Sequence, residues 1–241
     1  MIPKIIHYCW FGGADLPEQA SKYIRTWKNN FPDYRIIEWN EQNFDIHICK
    51  FVEEAYAEKK YAFVSDYVRL YALYRMGGIY LDTDIEIIKD FREYFQKKRV
   101  VLGFEDDYYI MTAFLASEPG MEWIANLIER YNDMHFIQND GKYNATPNPI
   151  FITEELISQG LIPNGKKQIF NKDFIAFPSD FFSAYSIDLQ KIIVTRNTVC
   201  IHHCNGSWQT GSDKLKQWIK SRIIRYFGKI FFEKIKNICY K

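Results

Sequence analysis

Two aspartates, Asp82 and Asp84, stand one residue apart between two apolar runs, Ile79-Tyr80-Leu81 and Ile85 to Ile88. Charge is unexpected inside so apolar a stretch unless a strand ends there at a site, with a cation or a strong partner to offset it. Paired carboxylates are a hard-oxygen donor set, which suits Mg²⁺ or Mn²⁺ together with water and phosphate oxygens. In a regular strand residues two apart share a face, so this spacing points Asp82 and Asp84 at one ion. Upstream, Asp66 and Arg69 lie three apart in a helical pattern and also share a face. Gly77-Gly78 ends that helix, and the chain between Asp66 and Asp82 is long enough for the helix to run back beside the strand end. A divalent ion held there leaves room for a substrate pyrophosphate. D-x-D by itself occurs on many surfaces, and Asp66–Arg69 reads equally as a helix-surface ion pair worth about 0.2–0.5 kcal/mol. The apolar setting is what singles the group out.

Two more residues end strands. Trp10 closes the first apolar run just before Gly12-Gly13, and Asn40 closes the second. In open α/β sheets ligands bind outside the carboxyl ends of the strands. An indole there stacks on a nucleobase for about 1–3 kcal/mol; its other reading is a core tryptophan. Neither G-x-G-x-x-G nor G-x-x-x-x-G-K-[ST] occurs, so a pyrophosphate would rely on metal and Arg69 rather than a glycine cradle. Cys200, His202 and Cys204 share a strand face and suggest zinc. A single strand rarely wraps a tetrahedral ion, however, and no second cluster supplies a fourth ligand.

The stretch SDYVRLYALYRMGGIYLDTD resembles the signature of glycosyltransferase family 32, the family of the DXD sugar-binding region. That family includes capsule and lipopolysaccharide sugar transferases, and the glucosyltransferase domains of large clostridial toxins are more distant relatives. The opening IPKIIHYCWFGG and the closing HHCNGSW extend the resemblance across residues 2 to 208. It implies a GT-A-like α/β fold, with a Rossmann-like, mainly parallel sheet flanked by helices. It implies transfer of a sugar from a nucleotide diphosphate sugar, UDP-sugars favoured, to a saccharide or lipid-linked oligosaccharide acceptor, with retention, in surface polysaccharide synthesis. By the same resemblance Trp10 stacks on the base, Asn40 and Tyr80 line the donor site, and Asp66 and Arg69 grip sugar hydroxyls. Asp82 holds the ribose and the metal shell. Mn²⁺ or Mg²⁺ is bound by Asp82, Asp84 and His203, with His202 the alternative to His203. Ser207 and Trp208 meet the metal or the β-phosphate. Cys204 departs from the family block, where an aromatic is frequent, without touching a ligand. No nucleophile is evident, which favours front-face attack by the acceptor with the diphosphate as base. Two other classes stay open: a glycoside hydrolase using Glu105, Asp106 or Asp107, and a non-catalytic carbohydrate-binding protein.

Composition sets the bounds. A chain of 241 residues with 47% apolar and 25% charged residues suits one large globular α/β domain. Net charge is +1, which gives no electrostatic footprint for nucleic acid. Five cysteines without C-x-x-C fit a reducing cytosol, MIPKIIHYCW lacks a signal-peptide layout, and no run nears the roughly 20 apolar residues of a membrane span. The expected location is cytoplasmic, with peripheral contact on the inner face of the membrane. Expected strands are 4–10, 34–39, 79–81, 85–88, 100–104, 109–115 and 199–203. Expected helices are 17–31, 51–59, 62–76, 120–131, 153–158 and 213–239, with a cleft-bordering loop at 139–148. Residues 160–197 show no clear period. Residues 1–212 read as the catalytic domain. Residues 213–241 read as a basic amphipathic helix that packs on it or docks on a membrane: from Lys214 to Lys241 nine Lys or Arg face a single acidic residue, Glu233.

Overall fold

The side chains of Ala20, Tyr23, Ile24 and Trp27 recur at helical spacing, and all four are buried in α1 (Glu18–Asn30) against the sheet. The computed structural model describes residues 1–186, 188–204 and 221–222. In chain order, β1 (Ile5–Cys9), α1 and β2 (Arg35–Trp39) are followed by α2 (Lys50–Ala57), α3 (Tyr61–Met76), β3 (Gly78–Leu81) and β4 (Ile85–Ile87). Then come β5 (Val100–Phe104), β6 (Ile110–Ser117), α4 (Glu122–Asn132) and α5 (Asn148–Ser158). The remaining elements are β7 (Gln168–Phe170), β8 (Phe174–Phe177), α6 (Ser179–Phe182), β9 (Tyr185–Ser186), β10 (Lys191–Ile192) and β11 (Cys200–His202).

The central sheet has seven strands in the order β2-β1-β3-β6-β5-β8-β7. β1 pairs in parallel with β2 and β3, and β5 with β8, while β6 and β7 run against their neighbours. Five strands therefore point one way, and β1, β2, β3, β5 and β8 end on one edge. The expected α/β class with a mainly parallel, helix-flanked sheet holds. Strand alternation divides the core: Ile79 and Leu81 of β3 pack with α1, whereas Tyr80 between them packs with α2, α3, α4 and α5.

Local chemistry explains most boundaries. Gly77 and Gly78 both adopt positive φ, and a Cβ on Gly78 would lie 2.6 Å from the Ile5 carbonyl oxygen, so glycine lets β3 close on β1. α5 begins at Asn148, earlier than expected, because Pro149 falls in its first turn where a missing N–H costs nothing. The unpatterned region 160–197 contains β7 to β10, strands of two to four residues that are too short for a period to show. Ser207, Trp208 and the expected helix 213–239 lie outside the described residues, apart from Ser221 and Arg222.

His7 of β1 is fully buried, and two bonds fix its tautomer. The Trp39 indole N–H donates to Nδ1 over 3.1 Å, and Nε2–H donates to the Gly77 carbonyl over 2.8 Å. A proton on Nδ1 would oppose the indole donor. Burial lowers the pKa from the ordinary 6.5 to about 4, helped by Arg35 and resisted by the Gly77 bond. Below pH 6.5 the unfolded chain takes up a proton that the folded chain refuses until about pH 4. Stability from this group is therefore full above pH 6.5 and lost as pH falls through that window, on the order of 3 kcal/mol. Urea melts from pH 7 to 4.5 should show His7→Gln starting weaker but losing less than wild type. Parallel losses would remove His7 as the cause.

Candidate active site

Four residues singled out in the sequence follow parallel strands at the same sheet edge: Trp10 after β1, Asn40 after β2, Asp82 after β3 and Glu105 after β5. The strand order turns outward on both sides of β1, so the crevice between the ends of β1 and β3 is where an α/β sheet takes a ligand.

Asp82 and Asp84 do not lie in a strand, as expected, but in the tight turn between β3 and β4, where the Ile85 N–H donates to the Asp82 carbonyl over 3.0 Å. The turn, rather than strand periodicity, brings the two carboxylates to one side. Tyr80, two residues before Asp82 on the same strand face, donates its hydroxyl to Asp82 Oδ1 over 2.8 Å. Expected to line the donor site, Tyr80 is instead buried below it and holds Asp82; burial and then Asp82 keep its phenol well above the usual range.

The helical pair forms. Arg69 Nη2 lies 3.0 Å from Asp66 and 3.4 Å from Asp82, and the guanidinium sits 4.9 Å over the Tyr80 ring. Arg69 thus ties α3 to the turn, with both carboxylates competing for one fork. Burial opposes its charge, yet Asp82, Tyr80 and Asp66 hold it firmly protonated. Burial pushes Asp66 up to about 7 despite the pull of Arg69, with Asp82 adding to the rise.

β11 pairs antiparallel with β4, setting His202 opposite Ile85. The His203 N–H donates to the Asp84 carbonyl over 3.0 Å. Successive strand residues point to opposite faces, so this register sends only one of the two histidines into the crevice. That one is His202, whose Nε2 lies 3.3 Å from Asp84. Ligand atoms of Asp82, Asp84 and His202 all lie within 4.8 Å of one another. His203, the expected ligand, bonds Glu86 over 2.9 Å and stacks on Tyr23 at 4.4 Å, on the α1 side. His202, the alternative named in the sequence, is the histidine that converges with the two aspartates.

His202 Nδ1 and the Cys204 sulfur are 3.4 Å apart. Burial lowers the basicity of His202, but Asp84 and Cys204 outweigh it and lift the pKa well above normal. Cys200 lies fully buried in the apolar core, so the zinc set of that strand does not assemble among the described residues. Glu105 went unassigned to the transferase site in the sequence. Burial raises its carboxyl, and His202, Asp106, Asp82 and Arg69 all lie within its electrostatic reach. Only its place after an apolar strand signals it. Asp106 instead caps the following loop, accepting from the N–H groups of Tyr108 and Tyr109.

At the nucleotide side, Trp10 is half-buried and its indole donates to the Ala14 carbonyl over 2.6 Å. Its loop is braced by Glu41, which accepts from the Gly12 N–H and the Tyr56 hydroxyl. Gly12 adopts a φ of +96°, a conformation that favours glycine, and a Cβ there would also press on the Tyr61 ring. Asn40 closes its own turn, accepting from Gln42 N–H and donating to Glu38. Trp27, by contrast, is fully buried and donates to the Ile85 carbonyl. Trp27→Ala should therefore cost about 3–5 kcal/mol of stability, whereas Trp10→Ala should melt near wild type and weaken nucleotide binding. Thermal melts with nucleotide titrations check both; an early-melting Trp10→Ala that binds normally would make Trp10 a core residue.

Residues 17–101 match the family described as "Glycosyltransferase sugar-binding region containing DXD motif". Inositol phosphoceramide mannosyltransferase 1 of Schizosaccharomyces pombe is 23% identical over 180 residues, 68% of this chain and 54% of that protein. Lactosylceramide 4-alpha-galactosyltransferase of Gorilla gorilla gorilla is 36% identical over 73 residues, 29% of this chain and 21% of that protein. The chain thus spans about half the length of the first relative. Among solved structures, the PaToxG glycosyltransferase is 20% identical with a TM-score of 0.48, covering 65% of this chain and 68% of that one. The galactosyltransferase LgtC, in complex with donor and acceptor sugar analogs, is 11% identical with a TM-score of 0.45, covering 91% and 94%. The segment that matches this family model, residues 17–101, is the one that carries Asp66, Arg69, Asp82 and Asp84.

Proposed function

We propose that the chain is a metal-dependent, retaining glycosyltransferase of GT-A type that moves a sugar from a nucleotide diphosphate donor, a UDP-sugar in the favoured case, to a saccharide hydroxyl. The observation that carries this is the convergence of Asp82, Asp84 and His202 at the carboxyl edge of the sheet. Two carboxylate oxygens and one imidazole nitrogen fit Mn²⁺ or Mg²⁺ with positions left for water and phosphate. When bound, such an ion neutralises charge on a leaving diphosphate.

The chain's own residues do the rest. Tyr80 and Arg69 fix Asp82, so its free oxygen is aimed before any ligand arrives. Asp66 and the remaining guanidinium donors of Arg69 would hold donor-sugar hydroxyls. Trp10 offers an apolar ring beside the β1 end for the base. Ser207 and Trp208, outside the described residues, would by the family resemblance meet the metal or the β-phosphate. Front-face attack by the acceptor, with the diphosphate as base, is the proposed route.

The acceptor is proposed to be carried on lipid in the synthesis of a surface polysaccharide. Both curated relatives bear a ceramide in their names. The basic, apolar segment 213–241 would bring the enzyme to the inner face of an anionic membrane. Incubation with a panel of nucleotide sugars, with Mn²⁺ and after EDTA, tests the reaction by release of nucleoside diphosphate. Turnover is expected only with the cation. Release of sugar from an oligosaccharide without any nucleotide would replace this reading with the hydrolase one.

A further inference from the structure

The loop from Glu105 to Tyr109 joins β5 to β6 at the carboxyl edge of the sheet. In the strand order β2-β1-β3-β6-β5 it lies across β3 from the ends of β1 and β2, where Trp10 and Asn40 stand. A nucleotide diphosphate sugar runs from base through diphosphate to sugar. With the base at Trp10 and the diphosphate at the turn after β3, the sugar points toward the β5–β6 side. An acceptor must reach it from there.

Glu105 is a carboxyl in this crevice that the proposed mechanism leaves unused. It is partly buried, and His202, Asp82 and Arg69 all act on it electrostatically. Among the described residues, however, no side-chain or backbone donor bonds its carboxyl. Taking a carboxyl out of water without a donor is costly, and a ligand hydroxyl supplies the missing bond whether the group is ionised or not. Tyr108 adds a surface. Its ring is 47% exposed, but the backbone beneath it is fixed. Asp106 Oδ1 accepts from the Tyr108 and Tyr109 N–H groups, both over 2.7 Å, and the Glu105 N–H donates to the Tyr109 carbonyl over 2.8 Å. The Tyr109 ring braces Tyr108 edge-on at 4.9 Å. Gly165, at a φ of +64°, packs closely on the same loop: a Cβ there would lie 2.9 Å from Asp107 Cα. A tyrosine on such a support offers a broad, amphipathic contact at low entropic cost.

We infer that this loop is the acceptor subsite: Tyr108 stacks on a pyranose ring of the acceptor saccharide, and Glu105 holds one of its hydroxyls beside the metal site. The inference deepens the transferase reading and rests on it for the direction from which the acceptor comes. It assigns Glu105 a binding role in place of hydrolysis.

Saturation-transfer NMR tests it without turnover. The full chain, with Mg²⁺ and uridine diphosphate, is titrated with the methyl glycosides of glucose, galactose and mannose. Wild type is expected to transfer saturation to at least one of them. Tyr108→Ala and Glu105→Leu should each bind that glycoside about tenfold more weakly or worse, from the stacking contact or the charged hydrogen bond lost. Glu105→Leu should melt no earlier than wild type, because it removes a carboxyl that no described donor satisfies. Glycoside binding unchanged in both variants would overturn the subsite, as would wild type that binds none of the three. Loss in one variant alone would overturn the role of the other residue. Early melting of Glu105→Leu with glycoside binding intact would make Glu105 structural. Turnover absent with every nucleotide sugar, with glycosides still bound through Tyr108 and Glu105, would strike the transferase reading and leave a saccharide site. Metal-dependent turnover in wild type, with both variants binding glycosides normally, would strike the subsite and leave the transferase reading.

Discussion

Asp84→Asn is expected to lower turnover by at least about 100-fold and to abolish the Mn²⁺ dependence of nucleotide binding, since even residues one shell removed from a metal commonly cost 10–100-fold. Asp84 is one of three side chains whose candidate ligand atoms converge, and it is the partner of His202. An amide keeps the shape and the carbonyl oxygen but removes the charge that a hard cation requires. Folding should change little, because the substitution also relieves repulsion between neighbouring carboxylates in the turn. Calorimetry of a nucleoside diphosphate with Mn²⁺, and again after EDTA, checks the outcome; equal affinity under both conditions would sink the metal assignment. The same titration separates the histidines. His202→Ala should follow Asp84→Asn, whereas His203→Ala, which loses contacts to Glu86 and Tyr23, should bind normally. The reverse pattern would return the ligand role to His203.

Arg69→Met should destabilise the protein by about 3–5 kcal/mol, the usual cost of breaking a buried ion cluster on one side. Its side chain is 5% exposed and faces two carboxylates. Methionine fills much of the volume, so the loss reports charge more than cavity. Asp66 offers an escape: with its carboxyl already at about 7, it can take up a proton instead of staying charged and alone. The loss should therefore be larger at pH 8.5 than at pH 6. Arg69→Lys keeps a charge but cannot serve Asp66 and Asp82 as a planar fork, so it should fold better than methionine and still bind nucleotide poorly. Urea unfolding at both pH values measures this. Unchanged stability would show that the cluster is a surface pair of the 0.2–0.5 kcal/mol kind.

Where one element contains the whole relation, the chain alone was sufficient. Asp66 and Arg69 meet because a helix brings residues three apart together, and the α1 face is buried as its period requires. The apolar strands and the glycine break before β3 were legible for the same reason. Sequence also marked Trp10, Asn40 and Asp82 as strand ends, but not that β1, β2 and β3 lie side by side in parallel, which is what gathers them.

Relations between distant segments belonged to the tertiary structure. His202 and His203 are equivalent in a chain; the register of β11 on β4 chose between them, because a one-residue slip reverses every side chain. Tyr80 reads as a ligand contact until the sheet packs it under Asp82, and Glu105 reads as a loop acid until β5 ends beside β3's neighbour. The short strands of 160–197 have too few residues to carry a period and form only because other strands and loops offer them partners. Sequence thus determined the chemistry available at the site, since residue types and local spacing are written in it. Only the tertiary structure decided which side chains share that site, since register and strand order arise from contacts between residues far apart in the chain.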